Sequence, residues 1–287
     1  MKSWRKLRAG GKLAKWERGG DGLAMPRDGD RQLAVTRVGS TGLPDVDRVA
    51  VEEPLQLVVD GCPVAVVMRT PGQDEELATG FLWTEGVIRS RKDIARIELE
   101  AKDNHALVFL SEGVEVDFDR LTRHLFSASS CGLCGKASIE AITSVHPPVD
   151  PGPTFPESAL LGAPAEMRTA QRTFEETGGL HASAIFDREG RLLVLREDVG
   201  RHNALDKVLG WALREEVDLT ECFVLMSGRL SFELMQKALA GRLPLVAGIS
   251  APSSLAVEFA LESNQTVVGF LRPPRFNLYA ASERVVS

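Results

Sequence analysis

The sequence has little cysteine, no long apolar run and no excess of basic charge, and each shortage removes a class of protein. Four cysteines in 287 residues are too few for a disulfide-built secreted scaffold. Uninterrupted apolar stretches such as residues 63–68 fall far short of the ~18 residues that a bilayer span requires, so no membrane crossing is expected. The first residues contain no apolar leader core, which sets the expectation of a cytoplasmic protein. Neither a Gly-x-Gly-x-x-Gly run nor a Walker A pattern occurs, so a standard dinucleotide fold and a P-loop NTPase are unsupported. There is no internal repeat. What remains is an ordinary globular composition, 44% apolar and 26% charged, which excludes wholesale disorder and a coiled coil. The length suits one large core or two small ones.

The net charge of −6 conceals an asymmetry. Lys2, Arg5, Lys6, Arg8, Lys12, Lys15 and Arg18 stand against Glu17 alone, so the first twenty residues carry +6 and the rest −12. An acidic body repels phosphate backbones at long range, which argues against general nucleic-acid binding. The basic head, broken by Gly10-Gly11 and Gly19-Gly20, reads as a solvated tail.

Organisation follows from patterning. Residues 1–45 show no sustained period and are read as tail, with order beginning after them. Residues 46–126 are read as a smaller, mainly antiparallel β domain. In it, segments 49–59 and 64–68 flank the hairpin signal Asp60-Gly61. A helix opens over 70–76, with Leu77 and Phe81 on one face, and ends near Gly86. A second strand pair covers 94–100 and 106–110, and 113–118 extends the sheet. Residues 127–156 combine a small-residue loop with a Pro-rich linker, and 157–287 form an α/β domain. That domain has a hairpin at 182–186 and 192–197 and a helix containing 203–213. Strands at 222–226, 245–249 and 266–271 alternate with helices at 231–240 and 253–261. This βαβαβ order implies a parallel sheet whose ligands bind beyond the carboxyl ends of its strands. The loops there, Ser227-Gly-Arg229, 250–254 and Arg272-Pro-Pro-Arg275, offer hydroxyls, amides and guanidinium groups suited to phosphate.

Two of the cysteines, Cys62 and Cys222, sit in apolar runs and are read as buried packing. Cys131 and Cys134 differ: they form C-x-x-C among Gly, Ala and Ser, with Lys136 near, where a thiolate is accessible. Four readings compete. Zinc needs about four ligands and the pair gives two, with His124 and His146 lacking finger spacing. A thioredoxin-like dithiol belongs at a strand-to-helix junction, which this loop is not. An inert connection is the third. A covalent sulfur carrier, one thiolate holding a persulfide and the other releasing it by exchange, is the reading the loop favours. A second cluster, His181 with Glu197, Asp198, Arg201, His202, Asn203, Asp206 and Lys207, is dense where a strand gives way to a helix. It reads as ligand contact, against the alternative that Asp198 merely caps the helix and the others form a solvated face.

Taken together, Ser130-Cys-Gly-Leu-Cys-Gly-Lys136, Glu52-Glu-Pro-Leu55, Thr79-Gly-Phe-Leu-Trp-Thr-Glu-Gly86, Thr177-Gly-Gly-Leu-His181, Glu197-Asp-Val-Gly-Arg-His-Asn203 and Ser227-Gly-Arg229 resemble the FdhD-type formate dehydrogenase accessory sulfurtransferase family over about residues 45–280. The resemblance implies a cytoplasmic, homodimeric sulfurtransferase that takes sulfur from a cysteine desulfurase as a persulfide. The sulfur is passed to the bis-molybdopterin guanine dinucleotide molybdenum cofactor that the formate dehydrogenase catalytic subunit requires. Carried over by position, Cys131 holds the persulfide and Cys134 is its relay partner. Phe270, Leu271, Arg272, Pro273, Pro274 and Arg275 match the cofactor-binding stretch, with Pro274 where the family has glycine. His181, Asp198, Arg201, His202, Asn203, Ser227 and Arg229 are further contact candidates, and no metal ligand set is expected. The second domain is similar to the three-layer cytidine deaminase fold. Deaminase chemistry is disfavoured, because Ser183 stands where the acid/base Glu belongs and no Pro-Cys-x-x-Cys follows. Two other readings stay open: a non-catalytic chaperone that hands the cofactor to the apoenzyme, and a zinc-stabilised adaptor.

Overall fold

The computed structural model describes residues 29–38, 44–100, 104–116 and 146–287. The described residues begin with a ribbon in which β1 (Asp30–Thr36) and β2 (Pro44–Ala50) pair antiparallel along their whole length. Order therefore begins before residue 45, inside the stretch read as tail. The ribbon is exposed on both faces, so its sequence has no two-residue apolar period to betray it. Pairing holds it, with Arg48 bridging the buried Asp30 and Glu176.

A four-stranded sheet follows, built from β3 (Glu53–Val59), β4 (Cys62–Arg69), β5 (Ile94–Glu100) and β6 (His105–Leu110) in the order β4-β3-β6-β5. Asp60 and Gly61 have φ of 46° and 80°, the positive pair that a type I′ hairpin requires. The run read as one strand over 49–59 is two, because β2 pairs with the ribbon and β3 with the sheet. The sheet is not wholly antiparallel either: its central pair, β3 and β6, runs parallel. Residues 113–116 form no strand. Cys62, read as buried, is exposed at the start of β4. Leu55, Leu57 and Val59 alternate onto one face and pack against Leu77, Phe81 and Leu82 of α1 (Asp74–Thr84). The acids Asp74, Glu75 and Glu76 occupy the first turn of α1, where its dipole favours them.

Residues 146–156, expected to be a free linker, are pinned. Val149 is buried and its N–H donates to Ser263 O, Arg242 binds the carbonyls of Pro147 and Pro148, and Phe155 is fully buried. β7 (Phe155–Pro156) leads into α2 (Glu157–Ala170) and α3 (Arg172–Thr177), two helices absent from the sequence reading. Then come β8 (His181–Asp187), β9 (Leu192–Asp198), α4 (Arg201–Arg214), β10 (Cys222–Met226), α5 (Phe232–Ala240), β11 (Leu245–Gly248), α6 (Ser254–Ser263) and β12 (Thr266–Arg272). The chain closes with β13 (Arg275–Ala280) and β14 (Val285–Val286). The sheet order is β13-β12-β11-β10-β8-β9, with β10, β11 and β12 parallel as the βαβαβ pattern predicts. Each face has its own core. Leu205, Val208, Leu234 and Phe259 from α4, α5 and α6 fill one, while Phe155, Leu160 and Met167 meet Phe186 and Phe223 on the other. The result is three layers, α/β/α.

The β unit docks on the α/β unit through α1 and α4, backbone against backbone. A Cβ at Gly80 would lie 1.8 Å from Asp206 O, and one at Gly210 would lie 1.9 Å from Glu76 O, so glycine alone permits the crossing. Beside it Arg196 forks onto Glu76 at 2.6 and 2.7 Å. The buried Lys237 ammonium reaches Asp206, Thr84 and Glu85.

Candidate functional site

Strand direction decides which side chains meet. β8 runs against β10 and β9 runs against β8, so the carboxyl ends of β9, β10, β11 and β12 share an edge with the start of β8. The β12–β13 hairpin turns at that same edge. His181, Asp198, Ser227, Arg272 and Arg275 are thereby gathered from a span of almost a hundred residues. The connections are knit together by backbone. Ala182 and Ser227 exchange two bonds, Ala182 N–H to Ser227 Oγ at 2.9 Å and Ser227 N–H to Ala182 O at 3.0 Å. Phe270 N–H donates to Ser250 O, and Arg272 Nε donates to Ile249 O.

The sequence-predicted residues divide at this edge. Asp198 does not face a ligand: it is fully buried, accepting from Thr70 N, Gly200 N and Asn203 Nδ2 and lying 2.7 Å from Lys207 Nζ. It is not the helix cap either, since Gly200 holds that position in α4. Asn203 is likewise engaged, bonding Met68 O and Asp198. Leu271 is core, fully buried beneath α2. These three are the frame, which positions Arg201 and His202 at the first turn of α4. Arg229, Arg272, Pro273, Pro274 and Arg275 are exposed along the edge. Phe270 is 40% exposed with φ of 52°, a left-handed backbone that is costly for a bulky aromatic. Cys131 and Cys134, with Lys136 and His124, lie outside the described residues.

Electrostatics at the edge favour neutral imidazoles. Burial lowers the His181 pKa, and Arg201 pushes it the same way against the opposing pull of Asp198. Burial, followed by Arg201, Lys237 and His181, takes His202 down to about 4, although Glu233 Oε2 lies 2.9 Å from its Nε2. A histidine depressed in the folded state keeps its stabilising neutral form above the unfolded value of 6.5 and loses that contribution as pH falls toward 4. His202→Gln is therefore expected to flatten the loss of stability between those two values, by at most about 3 kcal/mol, in denaturant titrations at a series of pH values. A His202 that titrates near 6.5 by NMR would contradict this. Burial pushes the Cys222 thiol up to about 12, in keeping with packing rather than chemistry.

Beside the edge a cleft of about 490 Å³ opens between α2, α3 and the turn before β8. His181 and Ser227 form its inner wall, and Met167, Arg168, Gln171 and Phe174 its outer one. Sequence reading missed these four because it missed both helices. The i, i+3, i+7 spacing of Leu160, Ala163 and Met167 is the signal that marks α2. A larger hollow of about 620 Å³ runs along β9. Of the two arginines that line it, Arg172 and Arg196, the second is already committed to Glu76. No group of three His, Cys, Asp or Glu side chains suited to a metal ion occurs among the described residues. No helix among them is long and apolar enough to cross a membrane.

Comparison with known proteins agrees with this architecture. Residues 50–286 match the model of a family described as FdhD/NarQ. A sulfur carrier protein FdhD from Mycolicibacterium paratuberculosis is 47% identical over 251 residues, covering 83% of this chain and 92% of the relative. One from Sulfolobus acidocaldarius is 40% identical over 240 residues, covering 83% and 91%. The crystal structure of a protein described as a formate dehydrogenase accessory protein, from Desulfotalea psychrophila, superposes with a TM-score of 0.71. It is 26% identical and covers 90% of this chain and 98% of that one.

Proposed function

The chain belongs to the FdhD/NarQ family, and on that premise we propose that it is a sulfur carrier serving formate dehydrogenase. It accepts sulfur from a cysteine desulfurase as a persulfide on Cys131 and transfers it to the bis-molybdopterin guanine dinucleotide molybdenum cofactor, its substrate. The protein works as a homodimer in the cytoplasm. One observation carries the cofactor part of this reading. Arg201, Arg229, Arg272 and Arg275 gather at one sheet edge, and none of them pairs with a carboxylate among the described residues. On an acidic body, four guanidinium groups without a carboxylate partner in one place suit a ligand rich in phosphate.

The sulfur chemistry rests on the cysteine pair. Attack by the Cys134 thiolate on Cys131 Sγ breaks the bond to the terminal sulfur, which departs as hydrosulfide with the electron pair. Both cysteines are thereby oxidised to one disulfide and the transferred sulfur is reduced. The hydrosulfide replaces an oxo ligand of the substrate, which leaves as water with the two protons that the thiol and persulfide supplied. A dithiol reductant then restores the pair.

After incubation with a desulfurase and cysteine, the peptide holding Cys131 is expected to gain about 32 Da, one sulfur atom. Cys131→Ala is expected to abolish formate dehydrogenase activity in cells lacking their own accessory protein. Full activity with Cys131→Ala, together with loss in Arg275→Ala, would replace the carrier by a chaperone that only binds and delivers the cofactor. Stoichiometric zinc in the purified protein would point instead to an adaptor.

A further inference from the structure

Two pairs of side chains bridge α4 and α5 as successive rungs. His202 Nε2 lies 2.9 Å from Glu233 Oε2, and one turn further along both helices Lys237 Nζ lies 3.0 Å from Asp206 Oδ2. The lower rung is buried and complete, with Thr84 and Glu85 of α1 as its further partners. The upper rung is not. His202 Nε2 is shielded from solvent and makes no hydrogen bond among the described residues, although a carboxylate stands within bonding distance. The charges around the imidazole account for this. Arg201 from its own helix, Lys237 from α5 and His181 from β8 all oppose a positive charge on it, while the Asp206 carboxylate is taken up by Lys237. Glu233 alone stands opposite as a partner. Arg201 also belongs to the arginine edge: a Cβ at Gly228 would lie 3.4 Å from His181 Nδ1 and 3.8 Å from Arg201 Cδ, so these two side chains meet the loop that bears Arg229.

We propose that the His202–Glu233 rung is a proton switch of the arginine edge, closed when a phosphate-bearing ligand settles on Arg201. The ligand's negative charge offsets the cations facing His202, the imidazole takes up one proton from solvent, and Nε2–H donates to Glu233 in a charge-assisted hydrogen bond. This rests on the reading above, that the edge holds the phosphates of the cargo, and adds how that site is regulated. Linkage fixes the sign. A group that holds its proton more tightly in the complex makes the ligand bind more tightly as pH falls, and the gain ends once the free imidazole is itself protonated, at about 4. Closing the rung also ties the first turn of α4, which carries Arg201, to α5.

Proton NMR of the full chain across pH, with and without saturating inorganic pyrophosphate, follows the switch directly. The His202 signal is identified by its absence in His202→Gln. Its midpoint is expected to rise by about one pH unit or more when pyrophosphate is bound. In calorimetry the affinity of the wild type for pyrophosphate, relative to that of His202→Gln, is expected to grow about tenfold between about pH 7.5 and 5; the ratio cancels the titration of the ligand itself. Glu233→Gln should bind pyrophosphate as the wild type does at pH 7.5, which shows that the variant is folded, and should lose most of the midpoint shift. An unmoved His202 midpoint, or an equal shift in Glu233→Gln, overturns the switch and leaves the phosphate reading standing. Failure of the wild type to bind pyrophosphate at all overturns that reading, and the switch with it.

Discussion

Gly210→Ala is expected to destabilise the protein by about 3 kcal/mol or more, a large fraction of what holds a domain together. The new methyl would lie 1.9 Å from Glu76 O, 2.7 Å from Gly80 N and 2.8 Å from Glu76 C. All three are backbone atoms of one helix, so no side-chain rotation relieves the clash and α1 must move as a body. Movement of α1 pulls Glu76 from Arg196 and strains the Thr70 contacts that hold the turn bearing Arg201. Gly80→Ala is the reciprocal case, with Asp206 O at 1.8 Å. Gly162, in the middle of α2 with nothing within 4 Å of its Cβ position, is the control. There alanine is expected to stabilise by about 0.5–1 kcal/mol through backbone entropy. Urea midpoints of the three variants measure the contrast, and a Gly210→Ala protein as stable as wild type would show that the helices do not cross this way.

The second large effect is expected at Asp206. Its carboxylate lies 3.0 and 3.1 Å from Lys237 Nζ and accepts from Thr84 Oγ1 at 2.9 Å, and it is 1% exposed. Asp206→Ala leaves the Lys237 ammonium buried with Thr84 and Glu85 alone, a loss of about 3–5 kcal/mol. The double variant with Lys237→Met should recover most of it, because removing both charges removes the desolvation cost as well. Recovery is the decisive measurement: without it the pair is more than a matched burial of charge. Burial drives the Asp206 pKa up to about 6 against the pull of Lys237. For an acid raised above its unfolded value of 3.8, the folded state binds the proton more tightly, so falling pH between 6 and 3.8 favours the native state. His202 acts in the opposite sense over nearly the same window, and the wild-type profile is the sum of two terms that partly cancel. The Lys237 ammonium is opposed by burial, but Asp206 and Glu85 hold its pKa above the ordinary value.

Sequence patterning reached the C-terminal sheet because each strand there is a run buried on both faces, as in Cys222-Phe-Val-Leu-Met226, bounded by polar turns. It failed where local signals contradict the fold. Gly162 and Pro164 sit inside α2 and disguise it, directly after five prolines that argue for a linker. Cys62 follows a hairpin turn, and the apolar letters around it conceal that it starts the strand on an exposed position. At the site, the arginines and His181 were legible from their strand-end positions, whereas the burial of Asp198 was not. Its partner Thr70 lies 128 residues away, and the sequence carries no sign of a contact at that distance. The same limit hid the cleft, whose Gln171 and Phe174 gain meaning only once α3 is placed beside His181.

The position of β8 between β9 and β10 has a kinetic consequence. The β8–β9 hairpin forms from neighbouring residues, but its other edge is completed only when β10, some 40 positions later, pairs with it. During synthesis the hairpin therefore waits with the apolar edge of β8 open while α4 and β10 emerge. His181 and Ser227 come together only in that late, non-local step, so the site is among the last parts of the molecule to assemble. A nascent chain arrested before residue 222 would present an Ala-Ser-Ala-Ile-Phe strand open on its β10 side, where holdase chaperones are expected to bind.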